Sequence, residues 1–84
     1  MINKETLKKQ IIYRSTHRGS KELDIILGNF VKKYVQTFSE NELKELQELL
    51  LIEDEILYNL YFNKIESKVV SKNKVSGLFK KYKI

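Results

Sequence analysis

Residues 18–38, RGSKELDIILGNFVKKYVQTF, decide the fold, because a charged turn there opens onto an unbroken apolar stripe. Leu23, Ile26, Leu27, Phe30, Val31, Tyr34 and Phe38 recur at intervals of three and four, the spacing that gathers side chains onto one helical face. A helix of this kind needs other helices to cover its stripe. Arg18 and Glu22 lie off the stripe, one turn apart and within reach of each other, with Gly19 exposing backbone between them. Two readings of this turn stand side by side. One is an exposed ion pair contributing a few tenths of a kcal/mol, with Gly19 easing the entry to the helix. The other is a surface that a partner reads.

The flanking segments supply the cover. Leu7 and Ile11 predict a first helix over about Lys4 to Tyr13, and the second helix runs from Gly19 or Ser20 to near Thr37. Ser39-Glu40-Asn41-Glu42 is a capping box that starts a third helix carrying Leu43, Leu46, Leu49 and Leu50. The carboxylates Glu53, Asp54 and Glu55 suit the positive N-terminus of a fourth, short helix burying Ile56, Leu57, Leu60 and Tyr61. Asn63 to Ser67 reads as a loop. Beyond it, Val75, Leu78, Phe79 and Tyr82 keep helical spacing in a basic segment that Gly77 weakens. The expectation is an all-α, single-domain bundle of about five short helices over residues 1–84, with 68–84 as its basic C-terminal segment.

The composition agrees. Proline and cysteine are absent, so nothing breaks the helices and no disulfide supports a domain of 84 residues. No apolar run approaches the roughly 18 residues that span a bilayer, and Met1 to Gln10 lacks the apolar core of a signal. A soluble, unprocessed, cytoplasmic chain without membrane insertion is the expectation. The net charge of +5 is unevenly spread. Residues 1–37 hold eight basic and three acidic side chains, residues 38–66 two and eight, and residues 67–84 six and none. Either oppositely charged helices pack together or a basic surface serves function. Lys68, Lys72, Lys74, Lys80, Lys81 and Lys83, interleaved with Phe79 and Tyr82, give the second option its form, a small nucleic-acid-binding module. Lysine lacks the bidentate base reading of arginine, however, and a frayed, solvated tail is the simpler account.

Catalytic chemistry finds few candidates. His17 is the single histidine, and without cysteine a zinc or redox-metal site has no soft or second imidazole ligand. A triad from His17, Ser15 or Ser20, and Asp24 lacks a nucleophile elbow, and the three glycines form no phosphate-binding loop. Glu53, Asp54 and Glu55 point in different directions and read as helix-start charges. Tyr13, Tyr34, Tyr58, Tyr61 and Tyr82 read as core residues with polar rims. The chain is not expected to be an enzyme or to hold a metal.

The run Tyr13-Arg14-Ser15-Thr16-His17-Arg18-Gly19-Ser20-Lys21-Glu22-Leu23-Asp24, followed by Ile26-Leu27-Gly28 and Phe30, resembles the signature of the small succinate dehydrogenase assembly factors, the flavinylation factors with an R-G-x-x-E motif. The likeness continues through Ser39-Glu40-Asn41-Glu42, Leu49-Leu50 and Asp54, and fades after about Asn63. It implies a helical domain that binds the flavoprotein subunit of succinate dehydrogenase, and in bacteria often that of fumarate reductase. Such a factor promotes covalent attachment of FAD to a histidine of that subunit. FAD then belongs to the partner, and the factor binds no cofactor stably. Carried over residue by residue, Arg18, Gly19 and Glu22 sit at the partner contact, with Arg18 engaging a carboxylate or carbonyl of the partner, and Arg14 and Asp24 flank them. Ile25 and Gly28, off the buried stripe on the Arg18 side, form a mildly apolar patch suited to an interface. Leu60 stands where the family usually has tryptophan, and His17 where many relatives have arginine.

Overall fold

Side-chain caps fix where four of the five helices begin. The computed structural model describes residues 3–16 and 18–83. Its helices are α1 (Lys4–Ser15), α2 (Lys21–Tyr34), α3 (Glu40–Leu50), α4 (Asp54–Phe62) and α5 (Lys74–Lys81). Asn3 Oδ1 accepts from the Thr6 N–H at 2.8 Å, and Ser20 Oγ from the Leu23 N–H at 3.3 Å. The predicted box is present at α3: Glu42 N–H donates to Ser39 Oγ at 3.2 Å, and Ser39 N–H to Glu42 Oε1 at 2.8 Å. A second box that the sequence reading missed starts α5. There the Ser76 N–H donates to Asn73 Oδ1 at 2.9 Å and the Asn73 N–H to Ser76 Oγ at 3.1 Å. The first helix runs two residues past the predicted Tyr13, with Ser15 Oγ bonded back to the Ile12 carbonyl at 2.7 Å. The second ends at Tyr34, three residues short of Thr37.

Each helix packs mainly on two others, in a closed circuit from α1 to α2, α4, α5, α3 and back to α1. The α2 stripe lies at its centre: Leu23, Leu27, Phe30 and Val31 are fully buried, together with Ile11 of α1, Leu43 and Leu46 of α3 and Leu57 of α4. Each such side chain contributes about 1.5–3 kcal/mol of transfer free energy. Among the described residues there is no strand, and no helix is long and apolar enough to cross a membrane.

The basic C-terminal segment corrects the expectation of a frayed tail. Val75 and Phe79 are wholly buried, and the Phe30 ring lies 5.5 Å from Phe79 and 5.3 Å from Tyr82. Removing the segment would open this part of the core, so a chain shortened at Ser67 is expected to lose stability. Its lysines are partly spent against the acidic middle block. Lys74 Nζ meets Glu42 at 2.6 Å, Lys80 Nζ meets Glu66 at 2.8 Å, and Lys72 adds a longer contact to Glu66 at 3.9 Å. The oppositely charged blocks pack together, which takes three of the six lysines from the nucleic-acid reading. Of the tyrosines, Tyr34, Tyr61 and Tyr82 edge the core as expected, whereas Tyr13 and Tyr58 are exposed. Leu60 is buried and lines an open cavity of about 180 Å³ with Val70 and Gly77.

Two predictions arise here. Gly77 lies inside α5, and a Cβ built on it meets nothing within 4 Å. Gly77→Ala therefore gains about 0.5–1 kcal/mol from reduced backbone entropy, and its thermal midpoint should rise by a few degrees; an unchanged or lower midpoint would contradict this. Glu42 is the second. The Lys74 ammonium, then the Ser39 N–H, hold its carboxyl at about 2 against an ordinary 4.5. A depressed carboxyl contributes stability that is complete above its unfolded pKa and disappears as pH falls through the folded one. Glu42→Gln should thus melt below wild type at pH 7, and the gap should close between pH 4.5 and about 2. A gap that persists unchanged at pH 2 would refute the ion-pair account.

Candidate partner-docking site

Arg18 precedes the Ser20 cap, so it is not part of α2, and the one-turn pairing with Glu22 does not form. The turn aims Arg18 inward at the corner between α3 and α4, where its side chain is 10% exposed. Nη1 donates to Asp54 Oδ1 at 3.0 Å, and Nη2 donates to the carbonyl of Leu50. Both acceptors are helix ends. The last carbonyls of α3 have no intrahelical donor left, and a cation there complements the helix dipole. Asp54, at the first position of α4, carries the charge that the guanidinium needs, and the arginine is the residue that unites the two ends. Its Nε is buried and has no acceptor among the described residues.

Two carboxylates lock the turn further. Asp54 Oδ2 accepts from the Gly19 N–H at 2.8 Å, and Asp24 Oδ1 accepts from the Arg18 N–H at 2.8 Å. Asp54 thereby holds both residues of the Arg-Gly pair and is not a helix cap; α4 has no side-chain cap. This corrects the reading of Glu53, Asp54 and Glu55 as helix-start charges alone. Gly19 does not adopt a left-handed backbone, and a Cβ placed on it would stand 3.4 Å from Asp54 Oδ2, at contact distance. Its backbone is exposed on the other side.

The expected site residues thus divide. Arg18, Gly19 and Asp24 are brought together as one bonded turn. Glu22 is exposed and accepts from Ser20 Oγ at 3.2 Å, and Arg14 is exposed in the last turn of α1. Ile25 is half-exposed beside Glu22, but Gly28 is buried, its Cβ position 3.6 Å from Thr16 Cγ2, so it leaves the expected apolar patch to Ile25. His17 lies outside the described residues. The reading missed Asp54 and Leu50 as members of the site. One signal for Asp54 was available: three acids at a helix start exceed what one helix end needs. The outward surface is then Gly19, Lys21, Glu22 and Ile25 on a rigid base, a shape that can dock. Among the described residues no cluster suited to a metal ion is present.

The family model Sdh5, flavinator of succinate dehydrogenase, matches residues 9–83. The mitochondrial succinate dehydrogenase assembly factor 2 of Arabidopsis thaliana is 39% identical over 56 residues, which is 67% of this chain and 30% of that protein. That of Scheffersomyces stipitis is 40% identical over 58 residues, 69% of this chain and 37% of the relative. The FAD assembly factor SdhE of Acetobacter pasteurianus is 29% identical over 58 residues, 69% of this chain and 53% of the relative. The chain spans about a third to a half of the length of these relatives. No solved structure matches it significantly. Since the matched region runs from α1 to the end of α5 and contains the locked turn, the chain belongs to the Sdh5 family, the flavinators of succinate dehydrogenase.

Proposed function

We propose that this chain is a cytoplasmic, non-enzymatic assembly factor that binds the flavoprotein subunit of succinate dehydrogenase and promotes covalent attachment of FAD to it. The flavoprotein of fumarate reductase is a second client of the same kind. The observation that carries the reading is the family match over residues 9–83, with the Arg-Gly turn inside it. Bond formation takes place within the client, and FAD remains the client's cofactor. The factor contributes by holding the client so that the flavin and its acceptor side chain are aligned, the kind of orientation that removes entropy from a barrier. A turn fixed by Asp24 and Asp54 is suited to this, since a preorganised surface loses little freedom on docking. Arg18 shapes the turn from beneath, while Gly19 and Glu22 meet the client and Arg14 flanks them.

The test is reconstitution. Purified flavoprotein subunit is incubated with FAD, with and without this protein, then denatured and separated on a gel, and its covalent flavin is read by fluorescence. The expected result is a signal at least about tenfold stronger with the factor present, a modest share of what orientation can supply. Equal signals would overturn the reading.

A further inference from the structure

The charged groups that define the turn are largely spent inside the chain. Arg18, Asp24 and Asp54 are bonded to one another's backbone and side chains, which leaves them little capacity to anchor a partner. Tight interfaces rely on desolvated anchors, most often aromatic rings, near such a point. The structure supplies them on the same helix that holds the turn. Tyr58 follows Asp54 by four residues and Phe62 follows Tyr58 by four, so all three lie along one side of α4. The opposite side of that helix, with Leu57 and Leu60, enters the core. Tyr58 and Phe62 remain 36% and 39% exposed, with ring centroids 4.5 Å apart, so each packs on the other at the surface. Leu51, at the corner just before Asp54, is 63% exposed. Around this strip stand the exposed carboxylates Glu53 and Glu55.

We propose that Leu51, Tyr58 and Phe62 form the affinity-bearing part of the docking surface, and that they receive an apolar patch of the flavoprotein client rimmed by basic side chains. The occupant follows from two observations. Asp54, which bonds the turn assigned to client contact, stands on the same side of α4 as Tyr58 and Phe62, and the exposed carboxylates Glu53 and Glu55 on either side of it call for a basic complement. The inference rests on the assembly-factor reading.

Binding of the full chain to purified flavoprotein subunit, measured by titration calorimetry, tests it. Tyr58→Ala with Phe62→Ala should weaken binding about tenfold or more. Tyr58→Gln, a change at a ring already partly in water, should weaken it in the same direction and keeps the test decisive if the double variant unfolds. Circular dichroism reports on folding in each case. Glu53→Lys with Glu55→Lys should weaken binding most at low salt. Wild-type affinity in folded Tyr58 and Phe62 variants would overturn the strip, and undiminished binding of the charge-reversed chain would overturn the basic rim. Absence of any binding by the wild-type chain would instead overturn the assembly-factor reading itself.

Discussion

Asp54→Ala should lower the thermal midpoint of unfolding by roughly 10–20 °C, the largest loss expected from any single polar residue of the chain. Its carboxylate is the counter-charge of a guanidinium that is 10% exposed, and it also accepts from the Gly19 N–H at 2.8 Å. Truncation leaves a buried cation without its counter-charge, and the Gly19 N–H, at an exposed turn, without its protein acceptor. Breaking a buried pair from one side costs about 3–5 kcal/mol, and the partial exposure of Asp54 reduces this to about 2–4 kcal/mol. A domain of this size has about 5–15 kcal/mol in all, so a large share of its stability is at stake. Asp54→Asn retains an acceptor but loses the charge and should fall between the two. Thermal melts followed by circular dichroism decide the matter, and a midpoint within a few degrees of wild type for Asp54→Ala would refute the clasp.

That clasp marks the boundary of what could be read from the sequence. The α2 stripe and the Ser39-Glu42 box are local patterns, settled by residues three and four apart, and both are present as expected. Arg18 and Asp54 are 36 residues apart, and periodicity carries no information about such a pair. Glu22, four residues from Arg18, looked like its partner because the i,i+4 rule applies within a helix. Ser20, as the cap, places Arg18 outside that helix, where the rule lapses. The basic segment was misjudged for a related reason. Gly77 argues against a stable helix by propensity, at about 1 kcal/mol, and six lysines with no acid among residues 67–84 argue against it by mutual repulsion. Burial of Val75 and Phe79, together with the Lys74 and Lys80 pairs, outweighs both, and those are tertiary terms. The Asn73-Ser76 cap also escaped notice, since a serine replaces the usual acid at its third position. The resemblance drew attention to this turn, but side-chain direction within it required the fold.

Glu22→Ala should abolish most covalent flavin on the client, by at least about tenfold, while changing stability by no more than about 0.5 kcal/mol. The two effects separate because Glu22 is exposed, and its contact to Ser20 Oγ at 3.2 Å leaves the Ser20 cap on Leu23 intact. Its remaining structural share is a favourable charge in the first turn of α2, a few tenths of a kcal/mol at an exposed site. Arg18→Ala cannot make this distinction, because it removes the buried half of the clasp and so changes stability and the shape of the turn together. Gly19→Ala can. A methyl group there meets Asp54 Oδ2 at 3.4 Å and no strained backbone, so the domain should melt close to wild type. If the added methyl group nevertheless blocks flavin attachment, the space above Gly19 is the client's. Reconstitution with each variant, alongside its melting curve, gives both readouts. Glu22→Ala and Gly19→Ala proteins that melt normally and still support full flavin attachment would exclude the outward face of the turn from client contact.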